Sequence, residues 1–344
     1  MMLMIKRLAL LYELLRSPHL FYKQLRVLKE IDRCMRLIAV EALSPTLRSL
    51  VGRSVDIDEL MVKGGYSDRG LLVELLSLVE KEGVVRLSEG KVVVLRNPPE
   101  GALQEASEEM GDVLREAFGT FIDPTVKAIR ERLSGKATRE FDADELRVHW
   151  SIALEGEFYR IQREKAIEFS KLVEEARRRR GTFRILDYGC GSGAGTLQLF
   201  NSLSGKVDDF EVDGCDVSEG LLEIAREDVA VGLPIHFFSL KKNRPAKGIY
   251  DAVFVSHVLH WTDDPVKTVG ELKSYLKNDG FIFGVESTIS KRLYPVDLFI
   301  RIYGANGFPS LNELQRWFNE NNMKLEHDPV WFSFKAISIS PNNF

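Results

Sequence analysis

Cysteine is scarce in this chain of 344 residues. There are three, Cys34, Cys190 and Cys215, with neither CxxC spacing nor an even count. A disulfide framework or a structural zinc site needs paired or regularly spaced thiols, so neither is expected and a reducing compartment is. Long apolar runs are lacking too. Lys6, Arg7 and Glu13 interrupt the Leu- and Met-rich start, and no stretch approaches the ~18 residues of a membrane span. No small-residue cleavage site follows, so a signal peptide is not expected. Nor does one sign of charge dominate. The net charge of −4 gives no overall reason to expect nucleic acid or an anionic membrane as partner. A cytoplasmic globular protein of more than one domain fits what remains.

Glycine, by contrast, is concentrated at one place. Phe183–Leu186 reads as a short buried strand that ends in Asp187. Gly189, Gly191, Gly193 and Gly195 follow on alternate positions, and Thr196–Phe200 reads as a helix. Glycines let the backbone approach a ligand closely, and a helix N-terminus favours negative charge, so the stretch predicts a ligand cradle. A dinucleotide fingerprint GxGxxG/A is met nominally by Gly189, Gly191 and Ala194. Asp187 stands where that loop ordinarily carries apolar residues, and no second nucleotide-binding half follows.

Downstream, strand and helix alternate as a parallel α/β sheet requires. The predicted strands are Phe210–Cys215, Pro234–Phe238, Tyr250–Ser256 and Phe281–Val285, the last entered through the Asn278-Asp-Gly280 turn. Helices are expected at Glu219–Arg226, Pro265–Leu276 and Ser310–Asn321, with a closing pair of strands at Leu325–His327 and Val330–Ser338. Ser287–Pro309, with Phe299, Tyr303 and Phe308, reads as an acceptor-facing lid.

Upstream the pattern differs. Leu8, Leu11, Leu14 and Leu15, then Ile31, Met35, Ile38 and Ala42, recur at helical spacing, and faces so apolar suit dimerisation. Two short helices, Asp56–Val62 and one capped by Ser67 or Asp68 and running to Glu82, precede a hairpin of Val84–Leu87 and Lys91–Leu95, which is a winged-helix plan. Such a plan often binds DNA. Here the second helix carries Arg69 and Lys81 against Asp68, Glu74, Glu80 and Glu82, a net of 2 − 4 = −2, whereas phosphate contacts want Lys and Arg. Residues 99–180 read as a helical connector that covers cofactor or substrate. Of these, 99–143 carry no motif, and a long helical stretch from Ala143 leads into the glycine loop and ends in the basic run Arg177–Arg180, a helix cap.

Leu186-Asp-Tyr-Gly-Cys-Gly-Ser-Gly193, the acid that closes the next strand in Val212-Asp-Gly-Cys-Asp-Val-Ser218, and Tyr250-Asp-Ala-Val-Phe-Val-Ser-His-Val-Leu-His260 together resemble the class I S-adenosylmethionine (SAM)-dependent methyltransferases. The resemblance implies a Rossmann-like α/β sheet over 181–344, mostly parallel with a C-terminal antiparallel hairpin. It implies SAM as cofactor. Asp187, Gly189, Gly191 and Gly193 would form the cradle, Asp216 would accept the two ribose hydroxyls, and Val217, Ser256, His257 and Tyr159 would line the pocket. After the third strand the family places an adenine-binding Asp, and here Ser239 or Leu240 stands instead. The first 98 residues resemble the winged-helix dimerisation domain of small-molecule O-methyltransferases, which implies a homodimer, a small-molecule acceptor and oxygen as the accepting atom. Where that family has a His-Asp-Trp triplet with a catalytic base, this chain has His260-Trp261, so His260 is the candidate base. Methyl transfer to carbon or nitrogen stays open, as does a DNA-binding regulator that senses SAM without turnover.

Overall fold

The computed structural model describes residues 18–136 and 144–339, so the Leu8–Leu15 repeat lies outside the described residues. The chain forms two compact units, one built from residues 22–136 and 291–305, the other from 144–290 and 306–339.

The first unit is mainly helical. A long helix α1 (Pro18–Arg48) buries Cys34, Met35, Leu37 and Ile38 along one side. Strand β1 (Ser54–Asp56) leads into α2 (Ile57–Gly64), whose start is capped by the Asp56 side chain, and α3 (Arg69–Lys81) is capped by Asp68 in the same way. Strands β2 (Val85–Ser88) and β3 (Lys91–Val94) form the expected hairpin. β1 joins it to give an antiparallel sheet in the order β1-β3-β2. Three more helices follow: α4 (Ala102–Glu109), α5 (Asp112–Phe118) and α6 (Ile122–Leu133).

The second unit opens with three consecutive helices, α7 (Asp144–Glu155), α8 (Glu157–Ser170) and α9 (Leu172–Arg178), broken at Gly156 and at Lys171, which takes a left-handed conformation. Strand β4 (Phe183–Tyr188) and helix α10 (Ala194–Leu203) flank the glycine loop. β5 (Phe210–Asp216), α11 (Glu219–Ile224), β6 (Ile235–Ser239), β7 (Tyr250–Ser256), α12 (Pro265–Tyr275) and β8 (Leu276–Val285) continue the alternation. A nine-residue helix that follows β8, α13 (Tyr294–Ile302), belongs to the helical unit. The chain then returns through α14 (Leu311–Asn319) and the strands β9 (Met323–His327) and β10 (Ser333–Ser338).

The sheet runs β6-β5-β4-β7-β8-β10-β9, parallel from β6 to β8, with β10 antiparallel to both of its neighbours. Strands buried on both faces need apolar residues on both parities. Leu186, Val253 and Ile282 pack into one layer with Leu272, Tyr275 and Phe318, while Ile185, Phe254 and Phe283 pack into the other with Leu199, Leu203 and Ala166.

Three expectations change. β8 starts at Leu276, because the predicted turn at Asn278–Gly280 is absorbed as an irregularity in the pairing with β7. The lid aromatics Phe299 and Tyr303 are core residues of the helical unit: Phe299 meets Phe118 and Phe121 edge-on, and the Tyr303 hydroxyl lies 2.9 Å from Thr125 Oγ1. The basic run at the end of α9 is more than a solvated cap. Arg179 reaches Asp251 at 3.2 Å and Asp279 at 2.6 Å.

Asp251 explains the aromatic-Asp pair that opens β7. Its buried carboxylate accepts from the Arg184 backbone N–H at 2.9 Å and from Lys277 Nζ at 2.7 Å, and the neighbouring Tyr250 hydroxyl donates to Asp213 at 2.8 Å. These bonds tie β4, β5, β7 and β8 together at the end of the sheet opposite the glycine loop. Removing one member of a buried charged cluster strands the others, so Asp251→Ala is expected to lower unfolding stability by about 3 kcal/mol, read from urea denaturation midpoints.

Candidate functional site

In an open α/β sheet the ligand crevice forms at the carboxyl ends of the strands where the order reverses. Here that point lies between β5 and β7, on either side of β4, and the glycine loop leaves β4 there. Two backbone donors close the loop onto the next strand. Gly189 N–H and Cys190 N–H both donate to the Cys215 carbonyl, at 2.7 and 3.0 Å. Gly189, Gly191 and Gly193 all have positive φ. A Cβ at Gly189 would lie 2.4 Å from Val258 Cγ2, and one at Gly193 would crowd Phe237, Val229 and Ala225. Both the conformation and the space demand glycine.

Asp187 sits beneath the loop, almost wholly buried, and accepts a 2.7 Å bond from Thr196 Oγ1. Burial pushes its carboxyl up to about 7, against the opposing pull of the Thr196 hydroxyl and the Arg163 guanidinium. Arg163, itself buried and lowered to about 10 by desolvation, donates to Gln198 Oε1 and the Leu154 carbonyl. Asp216, at the tip of β5, already accepts from two backbone groups, Gly191 N–H at 2.9 Å and Ser218 N–H at 2.8 Å. Val217 beside it is half exposed. A carboxylate oxygen takes more than one bond, so Asp216 both staples the loop and retains acceptor capacity.

Ser239 and Leu240, the residues at the expected adenine position, are engaged by neighbouring backbone groups. Ser239 Oγ accepts from the Lys241 and Lys242 N–H groups at 3.3 Å each, and the Leu240 N–H donates to the Asp216 carbonyl at 2.9 Å. Both are buried.

The segment after β7 carries the remaining candidates. Ser256 closes the strand opposite Val285. His257 takes a left-handed backbone conformation, uncommon for a residue other than glycine, and its N–H donates to the Val285 carbonyl. Its Nε2 lies 2.9 Å from Gln162 Oε1, and Tyr159 packs edge-on against its ring at 5.1 Å. Desolvation holds the His257 imidazole well below its ordinary value, and His260 and Arg163 push in the same direction. Burial raises the Tyr159 phenol to about 12, which keeps it neutral.

His260 lies one turn further on, 2% exposed, on a short 3-10 turn over Leu259–Trp261. Its Nδ1 stands 2.5 Å from Glu286 Oε1, and Glu286 has no exposed surface. The other Glu286 oxygen accepts from the Leu259 N–H at 3.0 Å, so both oxygens hold the turn. Phe308 meets the His260 ring edge-on at 5.1 Å, and Asn306 N–H donates to the His260 carbonyl at 2.8 Å. Trp261 meets Trp150 edge-on at 5.8 Å. Glu286 and Gln162 were not among the sequence candidates. Glu286 did carry a signal, as an acid closing a strand at the ligand edge, but Gln162 carried none.

The geometry fits SAM. The cradle has no room for side chains at the glycines, and a buried carboxyl lifted to about 7 is stabilised as an anion by a cationic ligand group. Comparisons agree. Residues 186–282 match the family described as a methyltransferase domain. A malonyl-[acyl-carrier protein] O-methyltransferase of Halalkalibacterium halodurans is 30% identical over 129 residues, 36% of this chain and 46% of that protein. A non-reducing polyketide synthase of Stereocaulon alpinum is 31% identical over 140 residues, 40% of this chain and 5% of that protein. The chain thus spans less than half the length of either relative. Among solved structures, the DszA carbon methyltransferase superposes with a TM-score of 0.67 at 16% identity, covering 96% of this chain and 93% of that one. The CurJ carbon methyltransferase does so with a TM-score of 0.66 at 14% identity, covering 96% and 98%. The fold, the glycine cradle with its buried acid, and the matched family together identify the second unit of this chain as a class I, SAM-dependent methyltransferase domain.

Proposed function

We propose that the protein transfers a methyl group to an acidic carbon of a small acyl acceptor, one flanked by two carbonyl groups. SAM, when bound, supplies the electrophilic methyl group. Asp187 and the loop from Gly189 to Gly193 would hold its amino-acid end, and Asp216 its ribose. The observation that carries the reading is the buried contact between His260 Nδ1 and Glu286 Oε1. With Nδ1–H donated to Glu286, Nε2 keeps its lone pair for the proton of the acceptor. Glu286 then faces the imidazolium, and its second oxygen, held by Leu259 N–H, fixes the ring direction.

Such a base has a purpose only when the acceptor carries a proton that must leave. A carboxylic acid is already ionised at neutral pH and needs none. The dyad therefore favours a carbon acid or a phenol over a carboxylate. Carbon is placed first because the likeness to the two carbon methyltransferases extends over nearly the whole chain, whereas the likeness to the malonyl-[acyl-carrier protein] O-methyltransferase covers about a third. Oxygen of a phenol is the second reading, since the same dyad would serve it.

The helical unit is read, within this proposal, as a winged-helix domain of a dimer rather than a DNA reader. Glu74 of α3 and Glu82, just past its end, are engaged inside the unit, Glu74 by Arg301 and Glu82 by Arg33 and Arg36. That leaves an acidic helix with no basic face for phosphates. Among the described residues, no helix is long and apolar enough to cross a membrane.

Incubation with SAM and an acetoacetyl thioester should yield the C2-methylated product by mass spectrometry and NMR. An O-methyl enol ether would move the accepting atom to oxygen, and no product from either this or phenolic acceptors would overturn the reading. His260→Ala is expected to lower kcat ~10²-fold or more, and near-normal turnover would reduce His260 to packing. Asp216→Ala should weaken SAM binding by ~1–3 kcal/mol in calorimetry, the range for unpairing polar groups. Asp187 supplies a pH dependence. Its folded value of about 7 lies above the ordinary carboxylate value, so without ligand its ionisation costs stability as pH rises from about 4 to about 7. A cationic ligand group needs the ionised form, so SAM affinity should fall ~10-fold per pH unit below about 7. Asp187→Asn should flatten that dependence.

A further inference from the structure

Two histidines stand side by side in the crevice, with ring centroids 6.2 Å apart. Their partners differ in one respect. His260 faces a buried carboxylate, Glu286, while His257 faces a buried amide, Gln162, at 2.9 Å. An amide can accept from an imidazole N–H or donate to its lone pair, but it carries no charge to offset an imidazolium. The other groups around His257 give no such charge either. From α8 come Tyr159, neutral, and Arg163, a cation. From the turn comes His260, and the Glu286 carboxylate is hydrogen-bonded to His260 Nδ1 and the Leu259 N–H rather than to His257. Asp187, on β4, acts electrostatically on Arg163.

We propose that Gln162 is a positioning residue for proton transfer: its uncharged side chain fixes the His257 ring and keeps it neutral, so that His260 can take the acceptor proton with no second cation beside it. This rests on His260 acting as the base. The physical need is direct. At about 6 Å in a partly screened site, a charged His257 would oppose protonation of His260 by roughly tenfold or more. Burial already disfavours charge on His257, and the left-handed backbone at that residue, uncommon outside glycine, sets where the ring points. A carboxylate at position 162 would reverse the arrangement, making the two histidine pairs alike. The sequence therefore places Gln at one and Glu at the other, and the difference decides which ring carries a proton.

The test uses the full chain. In wild type, the His257 ring, assigned by NMR through its loss in His257→Asn, should remain neutral through the range in which an ordinary imidazole takes up a proton. In Gln162→Glu it should take up a proton within the neutral range. With SAM and the acetoacetyl thioester, Gln162→Glu should lose at least about tenfold in kcat at pH 6.5 and recover to within about twofold of wild type near pH 9. A merely structural role predicts an equal loss at every pH. Gln162→Met, uncharged and of similar length, should show no new ionisation and no acid-side loss. A His257 that titrates normally in wild type, or stays neutral in Gln162→Glu, overturns the proposal without reference to turnover. So does a protonated His257 that leaves the pH profile unchanged. If His260→Ala retains normal turnover, the base reading itself falls, an outcome distinct from any of these.

Discussion

A carboxylate with no exposed surface must be answered by its neighbours, and Glu286 is answered by His260 and the Leu259 N–H. Much of the crevice follows from this arrangement. The bond fixes the 3-10 turn after β7 against the end of β8. That turn places Val258 over Gly189, where no side chain can stand, and presents His257 to α8. Leaving a buried carboxylate unpaired costs several kcal/mol, so the turn has little freedom to move while the sheet is intact. The second anchor comes from the far end of the following segment, where Asn306 and Phe308 hold the His260 backbone and ring.

The glycine loop is governed by a different constraint, space. Its closure onto the Cys215 carbonyl draws the backbone across the tips of β4 and β5. Asp216 reinforces this from below by accepting the Gly191 N–H. The loop is therefore held by bonds among protein groups. Asp187 is the exception. It lies beneath the loop with a hydroxyl as its hydrogen-bond donor, and burial makes its ionisation cost free energy.

The parts legible in the sequence were those with local causes. The strands of the parallel sheet were readable from apolar runs ending in acids or turns, and the cradle from glycines at alternate positions. The cap Asp68 was readable, as one of two candidates, from residue type at a helix start, whereas Asp56, read as the first helical residue, is a cap. Boundaries failed where tertiary pairing overrode turn chemistry, as at Asn278–Gly280, which β8 absorbs. The aromatics of α13 misled for a related reason. Their sequence position follows β8 and suggests a cover for the site, but packing alone decides which core they join, and they join that of the helical unit. Arg179 read as a helix cap because its partners, Asp251 and Asp279, are 72 and 100 residues away, beyond any local pattern.

The sequence by itself determined that a strand-loop-helix cradle with an acid at Asp187 exists and that a second acid, Asp216, ends the next strand. Both follow from residue types acting on their own backbone. It also placed His260 at the ligand edge. Only the tertiary structure decided what His260 is paired with, because Glu286 lies 26 residues downstream and meets it through the β7–β8 register. The same holds for Gln162, which reaches His257 from a helix 95 residues earlier. Side-chain chemistry at a site depends on the charge of its neighbours, and the neighbours are chosen by the fold.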